Sequence, residues 1–194
     1  MTDPRRIADI LLGGGVAVLP TDTVYGLAAS PTQPLAVARV FALKRRPATR
    51  DLPVMVASRS QIEALGARIP PAAELLLRSG LAPGPLTLVL PLASPPAWLE
   101  GREEVAVRIP DHALMLEVLA LAGPLLVTSA NTHGTPTERS LAEVLAQLDG
   151  APDVSVDGGM LGEIPSTLVN CRAHPPVIER EGAIAAVRIW EILS

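Results

Sequence analysis

Short apolar runs alternate along the chain with longer stretches in which apolar side chains recur every three or four residues. Ile7, Ile10 and Leu11 recur at helical spacing within residues 4–12, behind a proline suited to a first turn, and Gly13-Gly14-Gly15 stops the pattern before the apolar run Val16–Leu19. The pattern predicts a second helix over Pro34–Leu43, with Leu35, Val37, Ala38, Val40 and Phe41 mostly buried. A strand over Leu52–Ala57, a helix opened by the capping box Ser60-Gln-Ile-Glu63 and a helix over Pro71–Arg78 follow. Strands are then expected at Leu86–Leu90, Val105–Ile109, Leu125–Thr128 and Val154–Val156. Between them fall helices over 112–122 and 140–148, the latter behind the capping box Ser140-Leu-Ala-Glu143. Ala183–Leu193 fits the strand and helix periods alike. This alternation predicts an α/β fold, a mixed or largely parallel sheet covered by helices, in one domain over residues 1–194, because no internal repeat or linker-like tract interrupts it.

Composition narrows the class. The 194 residues are 48% hydrophobic but only 2% aromatic, so the core is built from Leu, Val, Ile and Ala, and the single Tyr25 in a hydroxyl-rich loop stands out. Lone Cys171 has no intramolecular disulfide partner, no secretory h-region follows Met1, and no apolar run approaches the roughly eighteen residues of a membrane helix. A cytoplasmic protein without a membrane segment is the expectation.

Charge adds a local feature to a mildly acidic whole. The chain carries net charge −4, yet Arg39, Lys44, Arg45, Arg46 and Arg50 fall within twelve residues that hold no acid. An isolated cationic cluster suits a small anion better than a long nucleic acid, which calls for an extended basic face. Pro47 disfavours helix at Arg46, so Lys44 and Arg46 sit at a helix exit. In extended chain, residues two apart point the same way, which lets this pair grip polyphosphate oxygens while Arg45 faces solvent.

Other candidates divide into dull and promising. Gly13-Gly14-Gly15 reads as a helix C-cap rather than a phosphate cradle, since it precedes a strand and no Gly-Lys-Ser/Thr follows. His112, His133 and His174 lack zinc-ligand spacing, and no metal site is expected. Thr21, Asp22, Thr23 and Tyr25 lie just past an apolar strand, as a ligand-binding edge or as a turn bonded to its own backbone. Thr128-Ser129-Ala130-Asn131 ends another strand. Ser129 as a hydrolase nucleophile is disfavoured, because Val127 and Asn131 stand where a nucleophile elbow has glycines.

Seven segments occur together in a fixed order. They are Pro20–Leu27, Lys44-x-Arg46-Pro47, Pro83-Gly-Pro-Leu-Thr87, Val107-Arg108-Ile-Pro110, Ser129-Ala-Asn131 with Gly134, Asp157-Gly-Gly159 and Ile164-Pro-Ser166-Thr167. In this order and spacing the chain resembles the YrdC family, also called TsaC, the threonylcarbamoyl-AMP synthases, in their short single-domain form. The resemblance spans nearly the whole chain.

It implies an open, twisted α/β sheet with a concave groove. It also implies the condensation of L-threonine, bicarbonate or CO2, and ATP into threonylcarbamoyl-AMP and pyrophosphate, a nucleotidyltransferase reaction. A separate transferase complex would then move the threonylcarbamoyl group to tRNA adenosine, and a weak RNA contact in the groove stays open. Carried residue by residue, Thr23, Arg108 and Ser166 would hold threonine, and Lys44, Arg46, Ser129, Asn131 and Arg180 would bind ATP, with Arg50 and Thr137 lining the nucleotide site. Lys44 and Arg46 would act catalytically by offsetting charge on the β- and γ-phosphates with Mg²⁺. The carboxylated amine of threonine is itself the nucleophile, so positioning and neutralisation suffice.

Three positions depart from the family pattern: His133 in place of a Ser, Glu181 in place of the Pro of Arg-Pro-Gly, and Met55 in place of a His. Two other functions fit the sequence less well. An RNA-binding module without catalysis is opposed by the few aromatics and the negative charge. A carbamoyltransferase relative is opposed by the absence of an appended domain.

Overall fold

Asp3 opens the first helix, its carboxylate accepting the Arg5 backbone N–H at 3.0 Å, and Pro4 and Gly13 bracket the segment as α1 (Pro4–Leu12). The structure, a computed structural model, describes residues 3–47 and 51–194. After α1 come β1 (Val16–Leu19), β2 (Gly26–Ala29), α2 (Pro34–Leu43), β3 (Val54–Met55), α3 (Arg59–Ala64) and α4 (Pro71–Arg78). Then follow β4 (Leu86–Pro91), a 3-10 turn at Ala97–Leu99, β5 (Glu104–Arg108), α5 (Ala113–Ala122), β6 (Leu125–Ser129) and α6 (Leu141–Gln147). The chain closes with β7 (Val154–Ser155), β8 (Thr167–Asn170), β9 (Val177–Arg180) and α7 (Ala186–Leu193).

The strands join one sheet in the order β7-β1-β2-β6-β3-β5-β4-β8-β9. Only β1–β7, β3–β5 and β4–β8 pair in parallel; the other pairings are antiparallel. The α/β class and the helix-flanked mixed sheet are therefore as expected, and the largely parallel alternative is overturned. Part of its failure is local: β2, β8 and β9, whose β1–β2, β2–β6 and β8–β9 pairings are antiparallel, are not among the strands read from the sequence, while β3–β6 and β4–β5 are antiparallel pairings of strands that were. Gly26-Leu-Ala-Ala29 lacks the β-branched and aromatic residues that mark a strand, and pairs because both its neighbours bury it.

Alternation along each strand splits the interior into two layers. Val16, Val18, Leu27, Leu88, Leu90, Val105 and Val107 face one layer, with Val40 of α2, Leu76 of α4 and Ile189 of α7. Ala17, Leu19, Ala28, Leu125 and Val127 face the other, packed with Ile7 and Leu11 of α1 and Met115, Val118 and Leu119 of α5. On this second face α1 and α5 cover the end formed by β1, β2 and β6. Beyond them Thr87 and Val89 of β4, Ala106 and Arg108 of β5, and Leu168 of β8 line an open cavity instead. The site thus occupies the helix-free half of one sheet face.

Several local expectations change. The strand over Leu52–Ala57 contracts to Val54–Met55, with Pro53 preceding it. The helix expected from a Ser60 box is α3, capped by Ser58, whose extended backbone lets its hydroxyl accept the Gln61 N–H, so Ser60 lies in the first turn. The Ser140–Glu143 capping box is present as expected. On α2 the buried side is Ala36, Val40 and Leu43, while Leu35 is 84% exposed and Ala38 is also outside. Ala183–Leu193 resolves as helix only from Ala186. Among the described residues no helix is long and apolar enough to cross a membrane.

Candidate functional site

The cavity has a volume of about 410 Å³. One end is built around Arg108, the last residue of β5, which is only 5% exposed. Its Nε donates to the Gly84 carbonyl at 3.0 Å, Nη1 to Thr23 Oγ1 at 2.9 Å and Nη2 to Asp22 Oδ1 at 2.7 Å. Three sequence motifs, one on the β1–β2 loop, one before β4 and one on β5, therefore meet at a single guanidinium. The loop is prepared for this: Thr21 Oγ1 donates to the Val24 carbonyl at 2.6 Å and accepts the Thr23 and Val24 N–H groups, so the turn is bonded to itself. The turn reading of this loop holds, and Thr21 and Thr23 both line the cavity.

Beside Arg108, Thr87 and Ser166 hydroxyls lie 2.7 Å apart. Arg180 of β9 donates to the Ser166 carbonyl at 2.8 Å and to its hydroxyl at 3.3 Å. Burial lowers the Arg108 pKa, the Asp22 charge opposes that shift, and Arg180 adds to it; burial alone lowers Arg180. Guanidinium stays charged in proteins, so Arg108 and Arg180 bring two cations to the cavity wall beside the Asp22 carboxylate. Among the described residues, none offers a hydrogen bond to the buried Asp22 Oδ2.

The other end lies at the exit of α2. The extended chain expected at Lys44–Arg46 is not found. Lys44 closes the helix, Arg45 adopts φ 50°, and the Arg45 and Arg46 N–H groups return to the Ala42 and Phe41 carbonyls, both at 2.9 Å. These paired bonds satisfy carbonyls that the helix end would leave bare, and they offset the roughly 1 kcal/mol that a left-handed side-chain-bearing residue costs. The reversal throws Arg45 outward to Asp149, at 2.9 Å, as its solvent-facing assignment requires. Arg46 turns inward, its Nη1 3.4 Å from Thr128 Oγ1 and its Nη2 donating to the Asp51 carbonyl at 3.1 Å. Asp51 also pairs with Arg102 at 3.0 Å on the cavity rim.

Lys44 points elsewhere, into the exit of β6. It is 2% exposed, and its ammonium donates to the Ser129 and Asn131 carbonyls and to Asn131 Oδ1. Burial, with Arg46 nearby, pushes its pKa down to about 8.

Of the sequence-predicted residues, Thr23, Arg46, Arg108, Ser129, Ser166 and Arg180 line the one cavity. Lys44 and Asn131 stand behind its wall. Thr137 does not line it either, and donates to the Glu163 carbonyl at 2.9 Å, tying two loops together. Arg50 lies outside the described residues. Asp22, Thr87 and Thr128, which touch Arg108, Ser166 and Arg46, were not among the residues assigned roles, although the first two fall inside the motifs and Thr128 directly precedes one. Of the departures, Met55 lines the cavity, His133 contributes its backbone N–H to the Lys44 carbonyl, and Glu181 accepts the Ala186 N–H that starts α7. Gly182 beside it must be glycine, because a Cβ there would lie 2.3 Å from the Pro165 oxygen, against the segment that carries Ser166.

Residues 9–182 match the Sua5/YciO/YrdC family model, described as telomere recombination. The chain belongs to this family. It is 36% identical over 195 residues to the threonylcarbamoyl-AMP synthase of Pyrococcus abyssi and 36% identical over 199 residues to that of Bacillus subtilis, covering 98% and 99% of this chain. The chain spans 57% of the length of each of these relatives. The threonylcarbamoyl-AMP synthase of Stutzerimonas stutzeri is 34% identical over 172 residues, 92% of its length. Among solved structures, P. abyssi Sua5 complexed with L-threonine superposes with a TM-score of 0.89 at 36% identity, over 98% of this chain and 57% of that one. Escherichia coli YciO superposes with a TM-score of 0.84 at 27% identity, over 96% and 91%. These superpositions show that the chain shares its fold with those two structures.

Proposed function

We propose that the chain is an L-threonylcarbamoyladenylate synthase, condensing L-threonine, bicarbonate or CO2, and ATP to threonylcarbamoyl-AMP and pyrophosphate. The observation that carries this is the buried Arg108, flanked by hydroxyls and seconded by Arg180, in a cavity whose far end holds Arg46 and Ser129. Three of the five guanidinium donors of Arg108 are spent on Gly84, Thr23 and Asp22, which leaves two for a ligand carboxylate. Thr23, Thr87 and Ser166 would offer hydroxyls to the amino acid. Arg46, Ser129 and Arg180 would face the nucleotide.

In the reaction, an oxygen of the N-carboxylated threonine forms a bond to the α-phosphorus as the bond to pyrophosphate breaks. Arg46 would stabilise the charge that gathers on the departing phosphates, and Arg108 would hold the threonine carboxylate in line. Mg²⁺ would enter on the phosphates of ATP, in keeping with the few protein ligands this ion takes, and Asp51 is a carboxylate on the cavity wall beside Arg46. The assignment carries with it a nucleotidyltransferase class, a cytoplasmic location and a downstream complex that transfers the threonylcarbamoyl group to tRNA.

Pyrophosphate release should require ATP, Mg²⁺, threonine and bicarbonate together, because the nucleophile exists only once the amine is carboxylated. Omitting each component in turn is the test. Release unchanged without threonine would sink the assignment.

A further inference from the structure

An ammonium has three N–H donors, and Lys44 spends all three inside the protein: on the Ser129 carbonyl, on the Asn131 carbonyl at 2.7 Å and on Asn131 Oδ1 at 3.1 Å. Its own carbonyl accepts the His133 N–H at 2.7 Å, so one residue grips the exit of β6 with both side chain and backbone. The Asn131 amide it holds is used just as fully. Oδ1 also accepts the Ser129 hydroxyl at 2.6 Å, and Nδ2 donates to the Thr132 and Thr135 carbonyls at 3.1 and 2.7 Å. Ser129 and Arg46 line the cavity, and Lys44 and Asn131 do not.

We propose that Lys44 is a positioning residue. It locks the Ser129–Asn131 turn and, across the left-handed turn at Arg45, the start of the Arg46 segment, and it touches no phosphate itself. A direct phosphate contact would require it to abandon oxygens that are buried behind the wall, and each one left unpaired costs more than an exposed contact returns. Arginine should not replace it, because a planar fork suits a phosphate edge and not oxygens that converge on one point. The clamp belongs to the free protein, and only the purpose of the turn it holds rests on the nucleotide function proposed above.

Three measurements test this. In wild-type protein, NMR couplings between Lys44 Nζ and the Ser129 and Asn131 carbonyl carbons should persist when MgATP is added to saturation; their loss overturns the proposal. In free Lys44→Met and Lys44→Arg proteins that retain their circular dichroism, amide exchange at Asn131 and His133 should speed up by about tenfold or more, and unchanged exchange overturns it. By calorimetry both variants should bind ATP at least about tenfold more weakly. Combining Lys44→Met with Ser129→Ala should add no more than about twofold, since both act through one turn. Multiplying losses, or ATP affinity restored by Lys44→Arg, indicates direct phosphate contact. If the wild type binds no ATP, the nucleotide assignment fails, while the exchange measurement still decides the clamp.

Discussion

Arg108 and Thr23, 85 residues apart in the chain, meet through a 2.9 Å hydrogen bond from a buried guanidinium to a buried hydroxyl. The same guanidinium pairs with Asp22, so one end of the cavity and the anchoring of the β1–β2 loop meet at one residue.

Arg108→Ala should destabilise the fold by about 3 kcal/mol, because it strands the Asp22 carboxylate without its partner. Arg108→Met combined with Asp22→Asn should recover most of that loss without restoring threonine binding. Denaturant unfolding and calorimetric titration with threonine separate the two effects. Unimpaired threonine affinity in Arg108→Met would show that the carboxylate is held elsewhere.

Arg46→Ala should cut turnover severely and Arg45→Ala mildly. A charge-assisted phosphate contact is worth on the order of 1.5–3 kcal/mol, whereas the exposed Arg45–Asp149 pair is screened by solvent and adds little. Equal losses in the two variants would mean that the left-handed turn does not sort these side chains as observed.

Lys44 gives the protein a pH signature. Burial pushes its pKa in the folded chain down to about 8, below the 10.5 of an exposed lysine. Below pH 8 folded and unfolded chains both keep the proton. Between 8 and 10.5 only the unfolded chain does, so wild-type stability should rise with pH across that window relative to Lys44→Met. Activity should do the opposite. A neutral amine has two N–H donors for three oxygens, so the Ser129–Asn131 turn should loosen and nucleotide affinity should fall above pH 8 while the fold holds. Parallel unfolding and ATP-binding titrations check both signs.

Among amino acids, serine should retain partial activity and the isosteric valine almost none. Serine omits a methyl group worth about 0.8 kcal/mol of burial, whereas valine leaves a site hydroxyl unpaired at a cost of about 1–3 kcal/mol. Thr23, Thr87 and Ser166 are buried hydroxyls on the cavity, within hydrogen-bond distance of Arg108 or of each other, that would read the difference. Valine matching serine in kcat/KM would mean that shape alone sets the choice.

Where information is local, the chain could be read directly. Pro4 with Gly13, the Ser140–Glu143 box and the 3.6-residue spacing of Pro34–Leu43 specify their helices through bonds made within a few residues. The ordered motifs likewise point to Thr23, Arg46, Arg108, Ser129, Ser166 and Arg180, all of which reach one cavity, because short segments with fixed chemistry keep their residue types wherever the sheet carries them.

Strand pairing and the division of labour within motifs were settled only in three dimensions. Gly26–Ala29 is a strand because β1 and β6 supply its hydrogen bonds, which no intrinsic preference of Gly, Leu or Ala could announce. Asp22 becomes the partner of Arg108 because the β1–β2 loop meets the end of β5, and Glu181 becomes a cap for α7 through a backbone N–H five residues on. Lys44 and Arg46, two residues apart, part company because helix-end carbonyls draw the chain through a left-handed turn, sending one behind the cavity wall and the other onto it. Composition and spacing determine which groups are available. Burial and the need to pair every buried polar atom decide which of them remain free to meet a ligand.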